Sequence, residues 1–338
     1  MHDNQDKGLI DDFLIFLEIG KGRTVGTVDG YRRHLIRLVD FLAQSGQRLL
    51  TASRGDLERF TGLYLHQQGI LPRSRKPAIA AVKGFYRWMF AQGLVSEDPA
   101  KAIFYPSVGR KIPDFISLQH VERLFAQINL DDFKGVRDAA LIACLAGCGL
   151  RVSGVTGLNQ GDLIFGADDV GRQIVFLKVK EKGEHERLVP APPETLLLIR
   201  AYLGHPELAD IDRTLSDGDQ VLFVNTRNPT VKHFNNCGEH RRFSARSVRR
   251  MIVAYGAKAG IPLKFCHPHA LRHLYGTELV ESDTDLTTVQ QLMGHATLES
   301  TKLYIHTATK RLQDAVRKGN PLAKINTPVS GLTHVLDK

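Results

Sequence analysis

Cysteine is scarce: Cys144, Cys148, Cys237 and Cys266 are all there is, with no C-x-x-C pair and no regular spacing. That excludes a secreted disulfide framework and the common zinc modules. Cys144 and Cys148 stand four apart in an apolar, helix-like run, so buried reduced thiols are expected there. Long hydrophobic runs are also missing, since no stretch approaches the roughly 18 apolar residues of a membrane span. The opening MHDNQDKG lacks the basic and apolar regions of a secretory signal. A soluble cytoplasmic protein with no membrane partner is expected. No internal repeat or low-complexity segment stands out. What the chain does have is length, with 338 residues and 43% hydrophobic content, enough for two domains with proper cores. Lys and Arg exceed Asp and Glu by 45 to 36, a net charge of +9. That excess favours a polyanionic partner, although many merely basic proteins share it.

Hydrophobic periodicity predicts helices over 9–20, 24–46, from 54 or 56 to 67, and from about 74 to 92. In the second, Val28, Tyr31, Leu35, Leu38 and Leu42 recur at helical spacing, while Arg32, Arg33 and Arg37 occupy other faces. The fourth begins with a basic turn, RSRKP. A helical domain over 1–95 follows. The segment 96–113, SEDPAKAIFYPSVGRKIP, is punctuated by Pro99, Pro106, Gly109 and Pro113, and predicts an extended interdomain linker. A second domain is assigned to 114–308, and 309–338 to a tail that is a candidate for protomer docking. Ser117 is an N-cap by type and position, and DFKGVRDAALIACLAGCGL reads as an apolar helix ending at glycines before Arg151. From Gln173 the pattern turns to β, with IVFLKV and ERLVP flanking the polar turn KEKGEH. Helices are again expected at 245–260, 271–281 and 285–293. The fold class is therefore mainly α with a small β-sheet.

The chemistry concentrates late in the chain. HPHALRH (267–273) and LMGHATLESTKLYIH (292–306) set His269, Arg272, His295 and Tyr304 in an ordered run. A guanidinium offers a planar fork matched to phosphate oxygens, imidazoles move or donate protons near neutral pH, and a phenol supplies an oxygen nucleophile. Those are tools for attacking a phosphodiester.

The two stretches resemble the signature of the tyrosine recombinase (phage integrase) family: H-x-x-R, then a G-H pair, then Tyr nine residues on. Upstream, CGLRVSGVTGL is similar to the family segment carrying a first catalytic Arg, here Arg151, and KEKGEHERLVP to the hairpin carrying a catalytic Lys, here Lys182. The resemblance spans nearly the whole chain, because 9–103 is similar to the family's core-binding domain. It implies a SAM-like helical bundle followed by an α+β catalytic domain. By the same resemblance Tyr304 attacks a DNA phosphate to give a 3′-phosphotyrosyl link, with Arg151, Arg272 and His295 stabilising the growing negative charge. His269 exchanges the tyrosine proton, and Lys182 protonates the leaving 5′ oxygen. No cofactor, ATP or metal is implied. One position departs from the pattern: the family usually has an acidic residue three places after the first Arg, and here it is Gly154.

The resemblance further implies double-stranded DNA with specific core sites as the partner. It also implies a homotetramer on two sites, from a free monomer or weak dimer, with a partner recombinase or accessory protein left open. The expected type is a Xer-like, simple two-domain site-specific recombinase, since the chain starts almost directly at the core-binding domain. A nucleoid-associated location goes with it. A type IB topoisomerase-like enzyme that nicks and reseals one duplex, and a catalytically impaired DNA-binding relative, stay open beside it. Candidate DNA contacts are Arg32, Arg33, Arg73, Arg75, Lys76 and Lys83 in the first domain, and Arg241, Arg242, Arg246 and Arg249 in the arginine-rich stretch 240–250. A solvated basic helix face is the competing reading of that stretch. His273 is expected to pack or to make a structural hydrogen bond. Cys266, His267 and His269 lack the spacing of a metal site.

Overall fold

A computed structural model describes residues 2–107, 116–167, 171–180, 186–227, 232, 235–282, 284–294 and 315–329. The chain forms two compact units, Met1–Ile112 and Pro113–Lys338.

The first unit is helical. Helix α1 (His2–Ile15) runs on through a wider π-type turn at Phe16–Gly20, and is followed by α2 (Val25–Ala43), α3 (Arg54–Arg59), a second π-type turn (Phe60–Tyr64), α4 (Leu65–Gln67) and α5 (Pro72–Ala91). The apolar stripe of α2 is the reason it packs: Val28, Leu35, Leu38 and Leu42 are buried, while Arg32, Arg33 and Arg37 on the other faces are exposed. Each fully buried Leu contributes about 1.5–3 kcal/mol. Phe13, Phe85 and Trp88 meet at ring distances of 5.4–6.0 Å and knit α1 to α5. Ser53 and Asp56 cap α3 reciprocally, which fixes where that helix starts.

The expected linker 96–113 is packed over its first part. Ala100 and Ile103 are buried in the core of the first unit, and Lys83 donates to the carbonyls of Lys101 and Ile103, both at 2.8 Å. Two apolar contacts and a cation satisfying two carbonyls hold a proline-punctuated segment that composition alone suggests is extended.

The second unit is built around α7 (Phe133–Gly147), which is buried at nearly every position. Before it lies α6 (Leu118–Phe125), capped by Ser117 as its sequence predicts. After it come α8 (Val152–Gly157), strands β1 (Leu163–Ala167), β2 (Gln173–Lys180) and β3 (Glu186–Ala191), α9 (Pro193–Leu203) and α10 (Pro206–Ala209). Then follow α11 (Ala245–Lys258), α12 (Pro268–Glu281) and α13 (Leu286–Met293). The three strands form an antiparallel sheet in the order β1-β2-β3. Lys180 pairs with Glu186, so Lys182 falls in the connection between β2 and β3, outside the described residues. β1, α8, α9 and α10 are additions to the elements expected from sequence.

The described part of the tail, 315–329, folds back on its own unit. Asn320, buried, donates to Glu194 of α9 at 2.8 Å and accepts from Leu322 N at 3.0 Å. Lys324 pairs with Glu278 of α12, and Asn326 N donates to Glu122 of α6 at 2.9 Å. Leu322, Ile325 and Val329 join the main core, so the compact unit extends past the expected boundary at 308. Cys144, Cys148 and Cys266 are buried free thiols and Cys237 is exposed. Among the described residues no helix is long and apolar enough to cross a membrane.

Candidate active site

α13 ends at Gly294 in the left-handed conformation, with φ of 63°, a backbone that glycine adopts without a side-chain penalty. The last carbonyls of a helix have no partner within it and form the negative end of its dipole. Three successive ones here are met by arginines from three different elements. Arg187 of β3 donates to Leu292 O at 2.6 Å. Arg272 of α12 donates to Met293 O. Arg151, the residue that opens α8, reaches Gly294 O at 3.4 Å. In sequence His295 follows directly.

Arg272 is fixed from a second side, because its other terminal nitrogen donates to Gly149 O. That carbonyl is available only because Gly149 has φ of 60°, and a Cβ there would lie 2.1 Å from the Tyr275 ring. The CGLR segment and the HPHALRH helix are thus joined by a glycine that lets the backbone touch an aromatic face. Arg272 is itself buried, where a guanidinium is tolerable only with its donors engaged.

His269 lies one helical turn before Arg272, in the first turn of α12, and is exposed. Partial desolvation, then the charges of His273, Arg272, His267 and Arg151, hold its pKa below the ordinary imidazole value. It is therefore neutral near pH 7 and able to take a proton. His267 has a structural job that its sequence context does not advertise: its Nδ1 accepts from Ala270 N at 3.1 Å and caps α12. The sequence signal for that role is Pro268, a favoured first helical residue. His273 is exposed, which corrects the expectation of a packed imidazole: it follows Arg272 on a turn whose inward positions belong to Leu271, Arg272, Leu274 and Tyr275.

The structure brings Arg151 and Arg272 together with His269 beside them. Lys182, His295 and Tyr304 lie outside the described residues. Arg187 was missed by sequence reasoning, although a signal exists: alternation in ERLVP allows either Arg187 or Leu188 to face inward, and the strand buries the arginine and exposes Leu188 at 42%. Gly154 is buried against β2, and a Cβ at that position would sit 2.9 Å from Val179 Cγ1. A side chain at 154 would therefore have to start against Val179. Part of the orientation of Arg151 comes from Gly294 O.

The expected DNA contacts divide into two sets. Arg32, Arg33, Arg73, Lys76, Arg246 and Arg249 are exposed, with Arg32 also paired to Asp11 at 2.6 Å. Arg246, Arg249 and Arg250 project from α11, whose Val248, Met251 and Ile252 face the core. The other set is engaged within the protein. Arg242 bonds the carbonyls of Thr156 and Leu158, both at 3.0 Å, Asn159 Oδ1 at 2.7 Å and the Glu239 carboxylate. It ties the end of α8 and the residues after it to the entry of α11, so it has a structural role within the protein. Lys83 is the tether described above, Arg75 donates to Ile70 O at 2.8 Å and contacts His66, and Arg241 donates to Thr226 O at 3.1 Å.

Comparison with known proteins matches two family models to this architecture. Residues 10–93 match the phage integrase N-terminal SAM-like domain and residues 114–311 the phage integrase family. The tyrosine recombinase XerC of Chlorobaculum tepidum is 32% identical, over 93% of this chain and 94% of that protein. The tyrosine recombinase XerD of Neisseria meningitidis serogroup A is also 32% identical, over 93% of this chain and 98% of its own length. Among solved structures, a pre-cleavage complex of the XerH site-specific recombinase with difH substrate aligns with TM-score 0.60 at 18% identity, covering 85% of this chain and 78% of that one. A lambda integrase tetramer bound to a Holliday junction aligns with TM-score 0.60 at 14% identity, covering 91% and 77%. At those identities the structures speak for the fold, and the sequence matches speak for the family. With both domains matched in order and the guanidinium pair assembled at the helix end that precedes His295, the chain belongs to the phage integrase family, the tyrosine recombinases.

Proposed function

We propose that Arg151, Lys182, His269, Arg272, His295 and Tyr304 carry out the strand cleavage and rejoining of this site-specific DNA recombinase. Tyr304 Oη forms a bond to the scissile phosphorus as the bond to the 5′ oxygen breaks. The tyrosine proton passes to neutral His269, and Lys182 delivers a proton to the departing 5′ oxygen, which would otherwise leave as a poor alkoxide. The 3′-phosphotyrosyl link conserves the bond, so attack by a different 5′-hydroxyl reverses the step on a new strand. Arg151 and Arg272 hold the non-bridging oxygens, whose negative charge grows in the transition state. The observation that supports this most is the meeting of those two arginines at the end of α13, one residue before His295.

DNA is the partner, approached through Arg32, Arg33, Arg73 and Lys76 in the first unit and through Arg246 and Arg249 on α11. Assembly as a tetramer on two sites with a Holliday junction intermediate follows from the family, as does action on short core sites. The test uses a nicked suicide duplex carrying the native flanking sequence. A covalent protein–DNA adduct on a denaturing gel, at one discrete position and absent with Tyr304→Phe, is the expected result. Unaltered adduct formation by Tyr304→Phe, or none by the wild-type protein bound to that DNA, overturns the assignment. Strand exchange that requires two sites then separates recombination from topoisomerase-like resealing.

A further inference from the structure

We propose that Arg187 is a positioning residue for strand cleavage, holding the exit of α13 so that His295 meets the scissile phosphate. The inference rests on the family chemistry above and adds a residue to it that does not touch the DNA.

The position is unusual for a cation. Arg187 and Val189 share the inward face of β3, and their register partners on β2 are Val179 and Leu177. Its charge acts on buried Cys148 and Tyr275, pulling downward against the desolvation that raises both groups. Removing a guanidinium from water carries a penalty of several kcal/mol, and apolar residues of similar volume commonly serve stability as well or better. An aliphatic residue at 187 would complete the face formed by Val179, Leu177 and Val189. The opposite phase of the strand was also open, yet Leu188 is the residue left exposed. Packing alone does not account for an arginine here.

Its contact does. The 2.6 Å bond to Leu292 O is the first of the three guanidinium bonds on the last carbonyls of α13. Arg272 and Arg151, the second and third, are also assigned to the phosphate, so their guanidinium groups divide five donors between the helix end and the DNA. Arg187, buried on β3, is the member of the set to which the proposed chemistry gives no phosphate. Arg187 also stands five residues after Lys182 on the strand that leaves the hairpin, so one side chain ties that strand to the segment before His295. A displacement of about 1 Å in a reacting group can cost on the order of 100-fold in rate.

A double-mutant cycle tests this with single-turnover cleavage of the suicide duplex at saturating DNA, well below the melting temperature. Arg187→Met should lower the cleavage rate by at least about tenfold with DNA affinity within about threefold of wild type, and Arg187→Lys, which keeps a charged donor, should recover part of it. In a His295→Ala background the same Arg187→Met change should cost less than about threefold, because the group it positions is gone. Equal losses in both backgrounds, or wild-type cleavage by Arg187→Met, overturn the proposal. If Arg187→Met fails to fold, the cycle is run with Arg187→Lys and judged by the same comparison of backgrounds. Absence of any wild-type adduct would instead sink the cleavage chemistry itself, so the two failures are distinct.

Discussion

Gly154 lies inside α8, and its surroundings give a stability prediction whose sign changes with one neighbour. Replacing Gly by Ala inside a helix gains up to about 1 kcal/mol from propensity alone. Against that, the new Cβ in α8 would lie 2.9 Å from Val179 Cγ1, and Val179 is a buried, β-branched residue of β2 with little rotamer freedom. Overpacking of this kind costs about 1–3 kcal/mol, so Gly154→Ala should destabilise by about 1 kcal/mol net. Val179→Ala removes the obstructing methyl and leaves a cavity, which is itself destabilising. In that background, however, Gly154→Ala should stabilise by about 0.5–1 kcal/mol, since only the propensity gain survives. Urea unfolding of the four proteins reads both numbers from the midpoints, provided the slopes stay equal. The same sign in both backgrounds would refute the claim that Val179 crowds a side chain at position 154. Gly154→Glu should fold poorly unless Val179 is reduced, and should not raise cleavage, because Gly294 O already accepts from Arg151.

Arg151→Ala and Arg272→Ala should each cut the cleavage rate by about 10²–10³, but they should differ in stability. Arg272 is buried and serves Gly149 O and Met293 O, each costing about 1–3 kcal/mol if left unsatisfied, whereas partly exposed Arg151 should lower the urea midpoint less; equal midpoints would contradict this. His34, His120, His267 and His269 all have pKa values held below the ordinary 6.5, chiefly by desolvation. Between the ordinary and depressed values the unfolded chain binds more protons, so stability should fall as pH drops below about 6.5, and a flat urea midpoint from about pH 7 to about pH 5 would refute it. Asn320→Ala removes a buried bond to Glu194 and the cap on Leu322 N, and should cost about 1–2 kcal/mol. Limited proteolysis should then cut the tail before the core, and simultaneous loss of both would count against a separately docked segment.

The elements with strong periodicity are legible in the sequence alone. The stripe of α2, the Ser117 cap, the glycine stop before Arg151 and the β2–β3 pair follow from spacing and residue type, which act over one or two turns. β1 escapes such a reading because LIFGA is short and mostly exposed, with the burial alternation of a strand absent. α8 escapes it because two glycines and β-branched residues argue against helix locally, and packing against β2 overrides them. The linker reads as extended because its prolines are visible in the sequence and its tether, Lys83, is distant.

For the site, the order of Arg151, Lys182, His269, Arg272, His295 and Tyr304 along the chain carries the resemblance to the family, and the proposed chemistry follows from that resemblance. Folding then decides which basic residues are engaged within the protein. Arg242 and Arg246 are indistinguishable in a charge count, yet one is bonded to three backbone or side-chain groups at the end of α8 and just beyond it, and the other is exposed on α11. The three-arginine clasp on α13 likewise depends on contacts between residues up to 143 positions apart. Local sequence sets propensity and chemical type, whereas burial and hydrogen-bond partnership exist only once distant segments share a core.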